Sequence, residues 1–183
     1  MKTDLSKYNN DWYKPGASVL ARAIWYVVNR TFLISYFPFS PAKIFLLSLF
    51  GAKIGKGVVI KPHVNIKYPW RLSIGDHCWI GEGVWIDNLE DVSMGDHCCL
   101  SQGAFLLSGN HNYKKSTFDL MTEKIILEEG VWIGAKAIVC GGTVCRSHSV
   151  LTAGSVAMNT LESYSIYQGN PAVKIKDREI SAS

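Results

Sequence analysis

From residue 54 onward an aliphatic side chain returns at every sixth position: Ile54, Ile60 and Ile66, then Ile74, Ile80 and Ile86, then Met94, Leu100 and Leu106. A strand alternates every two residues and a helix about every 3.6, so a beat of six describes neither and must belong to a larger unit. Three sixes make one triangular coil of short parallel strands. The aliphatic residue points inward, and the small residues of "IGKGVV", "IGDHCW" and "IGEGVW" permit the tight corners.

Equivalent residues of the first coils are displaced by twenty (54, 74 and 94; 60, 80 and 100), so two extra residues sit at one corner of each. After a gap the sixes return unmodified at Leu127, Ile133, Val139, Cys145, Leu151 and Ala157. Position i+4 is held by Val58, Val64, Cys78, Val84, Cys98, Ala104, Val131, Ala137, Thr143, Ser149 and Ser155, residues mostly small enough to fill a narrow prism beside the aliphatic wall. Coils stack at about 4.8 Å, so residues one coil apart lie one above the other. The expectation is a single all-β domain, a parallel β-helix over 51–173. It carries an N-terminal α-helical extension over 1–50 and a tail over 174–183.

The beat fails over "LLSGNHNYKKSTFDLMTEKIIL", which predicts a protruding loop at 107–126 containing His111. Residues 17–50 are very apolar, but Arg22, Arg30, Pro38 and Pro41 cut the run below the length of an uncharged membrane span. Two helices are expected, packed on the end of the following domain. A sharper reading lays them on the inner membrane surface as a peripheral contact.

Lys and Arg exceed Asp and Glu by 19 to 15 without a dense basic run, which suits a phosphate-bearing small molecule and not a nucleic-acid track. Five cysteines, Cys78, Cys98, Cys99, Cys140 and Cys145, are odd in number and contain no CxxC pair. Neither a disulfide framework nor a standard zinc site is indicated, and a cytoplasmic setting is favoured. The N-terminus lacks the order of a signal peptide. His77 and His97 stand one coil apart in "GDHC", above Cys78 and Cys98. Alternation sends His and Cys to different sides of the strand, so no metal is expected there, and His63 and His148 offer no partner.

The hexapeptide pattern resembles the left-handed parallel β-helix acyltransferases, whose members are typically homotrimers with active sites between subunits. "GNH" at 109–111, "GVWIGAKAIVCGGTV" at 130–144, "VLTAGSV" at 150–156 and "GNPA" at 169–172, with the N-terminal "DWYKPG", look like the colanic-acid type of O-acetyltransferase, related to the galactoside and maltose enzymes. The resemblance implies an acetyl-CoA-dependent acetyltransferase acting on a sugar or exopolysaccharide intermediate. A sugar hydroxyl is a poor nucleophile at neutral pH and needs a base within hydrogen-bond reach; the matching histidine is His111. Asp87 stands where related enzymes reach the acceptor, with Asn88 and Asn110 as lesser candidates. Acetyl-CoA would meet Trp132, Gly134, Ala135, Ala153, Gly154, Asn159 and Lys174, or Lys176.

The chain departs from the enzymes it resembles, which usually carry Thr-Lys after "AGSVV": here "AGSVAMNT" places Met158 and Asn159 there, so the basic contact to the nucleotide end is missing or moved. Cys78, Cys98 and Cys145 fall on inward positions and Cys99 and Cys140 have no adjacent base in sequence, which predicts direct transfer without an acyl-enzyme. An oxyanion donor is expected from the Gly141–Gly142 turn or near Ala135. Two competing readings are a γ-type carbonic anhydrase, which needs a histidine pair five residues apart that this chain lacks, and a non-catalytic scaffold on the same β-helix.

Overall fold

A computed structural model describes residues 2–181. The sixes fold into three flat faces around one prism. The first face stacks Lys53–Ile54, Leu72–Ile74, Val92–Met94, Ile125–Leu127 and Val144–Cys145. The second stacks Val59–Ile60, Trp79–Ile80, Cys99–Leu100, Trp132–Ile133, Val150–Leu151 and Ser165–Gly169, and the third Asn65–Ile66, Trp85–Asp87, Phe105–Leu107, Ile138–Cys140 and Val156–Ala157. Pairing is parallel and keeps the register of the sixes: Ile60, Ile80, Leu100, Ile133 and Leu151 form one column.

Those columns are the core. From Ile60 to Ala157 the aliphatic positions are buried, as is every i+4 residue, including Thr143, Ser149 and Ser155. The edges explain the histidines. His63, His77, His97 and His148 all adopt φ between 55° and 60°, the left-handed corner conformation that Gly57, Gly83, Gly103 and Gly130 hold elsewhere. Between the first and second faces, a Cβ on Gly57 would collide with the His77 ring and one on Gly130 with the His148 ring, so each glycine also makes room for the imidazole above it. His77 and His97 stack at 5.4 Å, and His148 lies 4.7 Å from the Tyr164 ring. His63 Nδ1 lies 2.7 Å from the Ile34 carbonyl.

All lengthening of the chain falls between the third and first faces. Residues 67–71 and 88–91 carry the two extra residues of the first coils, and the long excursion at 108–124 leaves from the same edge. Below the first coil, α1 (Val19–Val28) and α2 (Ser40–Leu49) are the two expected helices. Ser18 caps α1 through the Ala21 amide, and Trp25 lies buried against the third face, donating its indole N–H to the Ile66 carbonyl at 2.9 Å. α2 closes the open end of the prism, where edge strands would otherwise present unpaired groups. Leu47 is fully buried, the Ser40 hydroxyl accepts the Ile60 amide at 2.8 Å, and Lys43 donates to the Lys61 carbonyl at 2.7 Å. At the other end Ala172–Asp177 returns antiparallel on Ser165–Gly169, so this strand runs across the boundary expected at 173/174.

Candidate active site

The excursion is an ordered hairpin. Gly109–His111 pairs antiparallel with Leu120–Thr122, setting His111 opposite Leu120. At its tip Phe118 takes φ +53°, uncommon for a residue with a Cβ, and this turns its carbonyl oxygen to within 3.0 Å of His111 Nδ1. The Phe118 ring stacks on the imidazole at 4.5 Å and 9°. A carbonyl only accepts, so Nδ1 carries the proton and Nε2 keeps its lone pair. The Asn110 side chain accepts the His111 amide at 2.7 Å, Tyr8 lies 5.7 Å from the imidazole, and the Asp4 amide bonds the Ser116 carbonyl. The N-terminal segment thus braces the hairpin. Nothing in a single reading of "STFDL" distinguishes Phe118, because its role depends on the hairpin pairing.

The acceptor candidates separate. Asn88 is fully buried, with its amide bonded to both the N–H and the carbonyl of Tyr68 at 2.9 and 2.6 Å. It holds two corner loops together and does not face a ligand, which corrects its expected place at the acceptor. Asp87 pairs with Lys67 Nζ at 2.8 Å. Asp87 also lines a cleft of about 490 Å³ between α1 and the third face, with Trp25, Tyr26, Tyr68, Trp70 and Trp85 as aromatic walls. Two buried polar atoms in that cleft, Arg22 Nε and Asn29 Oδ1, have no hydrogen-bond partner. Unsatisfied buried groups are costly and scarce in folded proteins, and their meeting in one cleft marks it as a place where a polar ligand would complete them.

Most of the cofactor candidates occupy a different edge. Gly134 and Ala135, then Ala153 and Gly154, form the corners between the second and third faces, below which Trp132 stands half exposed with its indole bonded to Ser101. Gly134 is a glycine because a Cβ would sit 2.5 Å from the Ala153 amide nitrogen; its smallness serves the stack. Gly154, at φ +69°, faces open space. Met158 and Asn159 are exposed after the last third-face strand, at the edge between the third and first faces, and Lys174 is exposed but ion-paired with Asp177, which raises its pKa. The hairpin with His111 leaves from the edge between the third and first faces, which Met158 and Asn159 share, so within one chain the third face lies between that edge and the corners of Gly134, Ala135, Ala153 and Gly154. Of the oxyanion candidates, the Gly142 N–H is already given to Lys124.

All five cysteines are free. Burial lifts the Cys145 thiol to about 12 and also raises Cys99 and Cys140, while the hydrogen bond to Cys78 pushes Cys98 up. The same contact with Cys98 lowers Cys78, but that thiol is buried inside the prism, and the two partly exposed thiols, Cys99 and Cys140, are not poised as thiolates. Among the described residues no group of three His, Cys, Asp or Glu is placed to hold a metal, and no helix is long and apolar enough to cross a membrane.

No model of a known protein family matches the chain. It is 34% identical over 180 residues, 96% of this chain and 97% of the other, to an Escherichia coli K12 protein named as the colanic acid biosynthesis acetyltransferase WcaF. A hexapeptide-repeat acetyltransferase of Vibrio cholerae, solved with acetyl-CoA, superposes with a TM-score of 0.80 at 20% identity, covering 90% of this chain and 92% of that one. Galactoside acetyltransferase in complex with CoA gives 0.78 at 19% identity, covering 87% and 82%. At such identities the two structures speak for the fold.

Proposed function

Since the chain belongs to the hexapeptide-repeat acetyltransferases of the colanic acid biosynthesis type, we propose that it transfers the acetyl group of acetyl-CoA directly to a sugar hydroxyl, with His111 as general base. The observation that carries this reading is the contact of His111 Nδ1 with the Phe118 carbonyl, which leaves Nε2 as a fixed proton acceptor at the end of an arm. Nε2 takes the hydroxyl proton as the oxygen attacks the thioester carbon, the C–S bond of the tetrahedral intermediate breaks, and the imidazolium returns the proton to the CoA sulfur. The aromatic cleft beside Asp87 suits the acceptor, since sugars pack their apolar faces on rings and their hydroxyls on polar groups.

Acetyl-CoA lies, in this proposal, along the edge of Trp132, Ala135, Ala153 and Gly154. Because one chain keeps that edge and His111 apart, the working site takes its base from one copy and its cofactor edge from a neighbour, which favours a closed homotrimer. The reaction draws on the cytoplasmic acetyl-CoA pool, a setting in keeping with five free cysteines. Free CoA released with and without a panel of nucleotide sugars, free sugars and lipid-linked oligosaccharides tests the activity. His111→Ala should lower turnover by about 10²–10⁴ while acetyl-CoA still binds; near-normal turnover in that variant excludes the base.

A further inference from the structure

The apolar N-terminal helices are only half used by the fold. Trp25, Asn29 and Leu33 of the first helical segment are buried, but on its other side Val19, Leu20, Ile24 and Val27 are 74, 70, 47 and 61% exposed. Tyr36 and Phe39 in the connection, and Phe45 and Leu49 of α2, are exposed as well. Eight large apolar side chains at one end of a molecule are far more than isolated surface residues explain.

The charge of the same region points to what covers them. Between Asp11 and Asp76 the chain carries nine Lys and Arg residues and not one Asp or Glu. The whole chain has a net charge of +4, so the remainder is net negative: +4 less +9 is −5. Carboxylates of later coils reach three of the nine, pairing Lys56 with Asp76, Lys67 with Asp87 and Arg71 with Glu90, and Lys43 is buried. Lys14, Arg30 and Lys53 remain exposed. A second copy docked face to face on this end would set like charges together. A surface that is apolar to a shallow depth and anionic above it satisfies both halves of the pattern, and the helices lack the length to go further.

We propose that α1, the connection at 34–39 and α2 form a docking face for an anionic lipid bilayer, so that the prism stands with its first coil against the membrane. This is independent of the acetyl-transfer reading. It is tested by flotation of the full chain with vesicles of phosphatidylcholine alone and of phosphatidylcholine with phosphatidylglycerol in equal parts. Wild type should float with the mixed vesicles and not with phosphatidylcholine alone, and high salt should release it. Leu20→Ser combined with Val27→Ser should reduce flotation about tenfold, with melting temperature, oligomeric state and CoA release on a soluble acceptor unchanged. Absence of flotation at low salt, equal flotation of the double variant, or a change in its oligomeric state by light scattering would each overturn the proposal, the last by assigning the face to a protein interface.

Discussion

His111 Nδ1 lies 3.0 Å from the main-chain oxygen of Phe118, and the ring of the same residue stacks on the imidazole at 4.5 Å. One residue thus sets both the tautomer and the plane of the His111 ring. Phe118→Ala keeps the carbonyl but removes the ring, so the imidazole gains freedom. The expected outcome is a fall in kcat of about tenfold with the KM for acetyl-CoA unchanged, read from initial rates. A loss confined to KM would show that Phe118 serves binding and not the base.

The separation of His111 from the cofactor edge makes a prediction about mixed oligomers. Protomers carrying His111→Ala and protomers carrying a blocked cofactor edge should each be inactive alone. If each site takes one half from each of two neighbours, every mixed trimer contains one intact site of its three. Refolding the two together should recover activity, up to about a third of wild type. No recovery in demonstrably mixed trimers would place both halves in one chain.

Gly134 and Gly154 look alike in the sequence and differ in the structure. A Cβ at Gly134 meets backbone at 2.5 and 2.8 Å, whereas at Gly154 it meets nothing within 4 Å. Gly134→Ala should cost about 3 kcal/mol of stability, since backbone cannot move aside. Gly154→Asn, which tolerates the left-handed conformation, should cost about 1 kcal/mol or less and raise the KM for acetyl-CoA about tenfold. Thermal unfolding and initial rates on the two variants separate a glycine kept for stacking from one kept for a ligand.

Lys43 is fully buried, and burial lowers its pKa from 10.5 because the charged form loses water. The unfolded chain then holds a proton that the folded chain releases at lower pH. Its burial penalty therefore eases as pH rises toward 10.5 and vanishes above it. Lys43→Met removes this dependence. The stability of wild type relative to the variant should rise between neutral and alkaline pH, measured as paired unfolding midpoints; a constant difference would mean that Lys43 titrates as if exposed.

The prism was legible because its code is linear. Each inward residue from Ile60 to Ala157 and each i+4 residue lies where the six-residue spacing puts it, and the excursion begins one residue after the expected break. What the sequence hid depends on vertical neighbours one coil away. Gly57 needs its smallness for the His77 ring twenty residues later, Asn88 spends its amide on Tyr68 of the coil below, and Phe118 gains its meaning only when the hairpin closes. The acid-free stretch was present in the letters, but a net charge taken over the whole chain cancels it.

The three interruptions, at 67–71, 88–91 and 108–124, share one edge of the prism. The ladder bonds of each face run to the strands above and below, so residues added at that edge break no ladder. Residues added elsewhere would displace a column. The molecule is therefore rigid in composition along two edges and free along the third. Exchanging those three segments between relatives should retarget the enzyme as a graft does, changing which hydroxyl is presented while the rootstock stays intact.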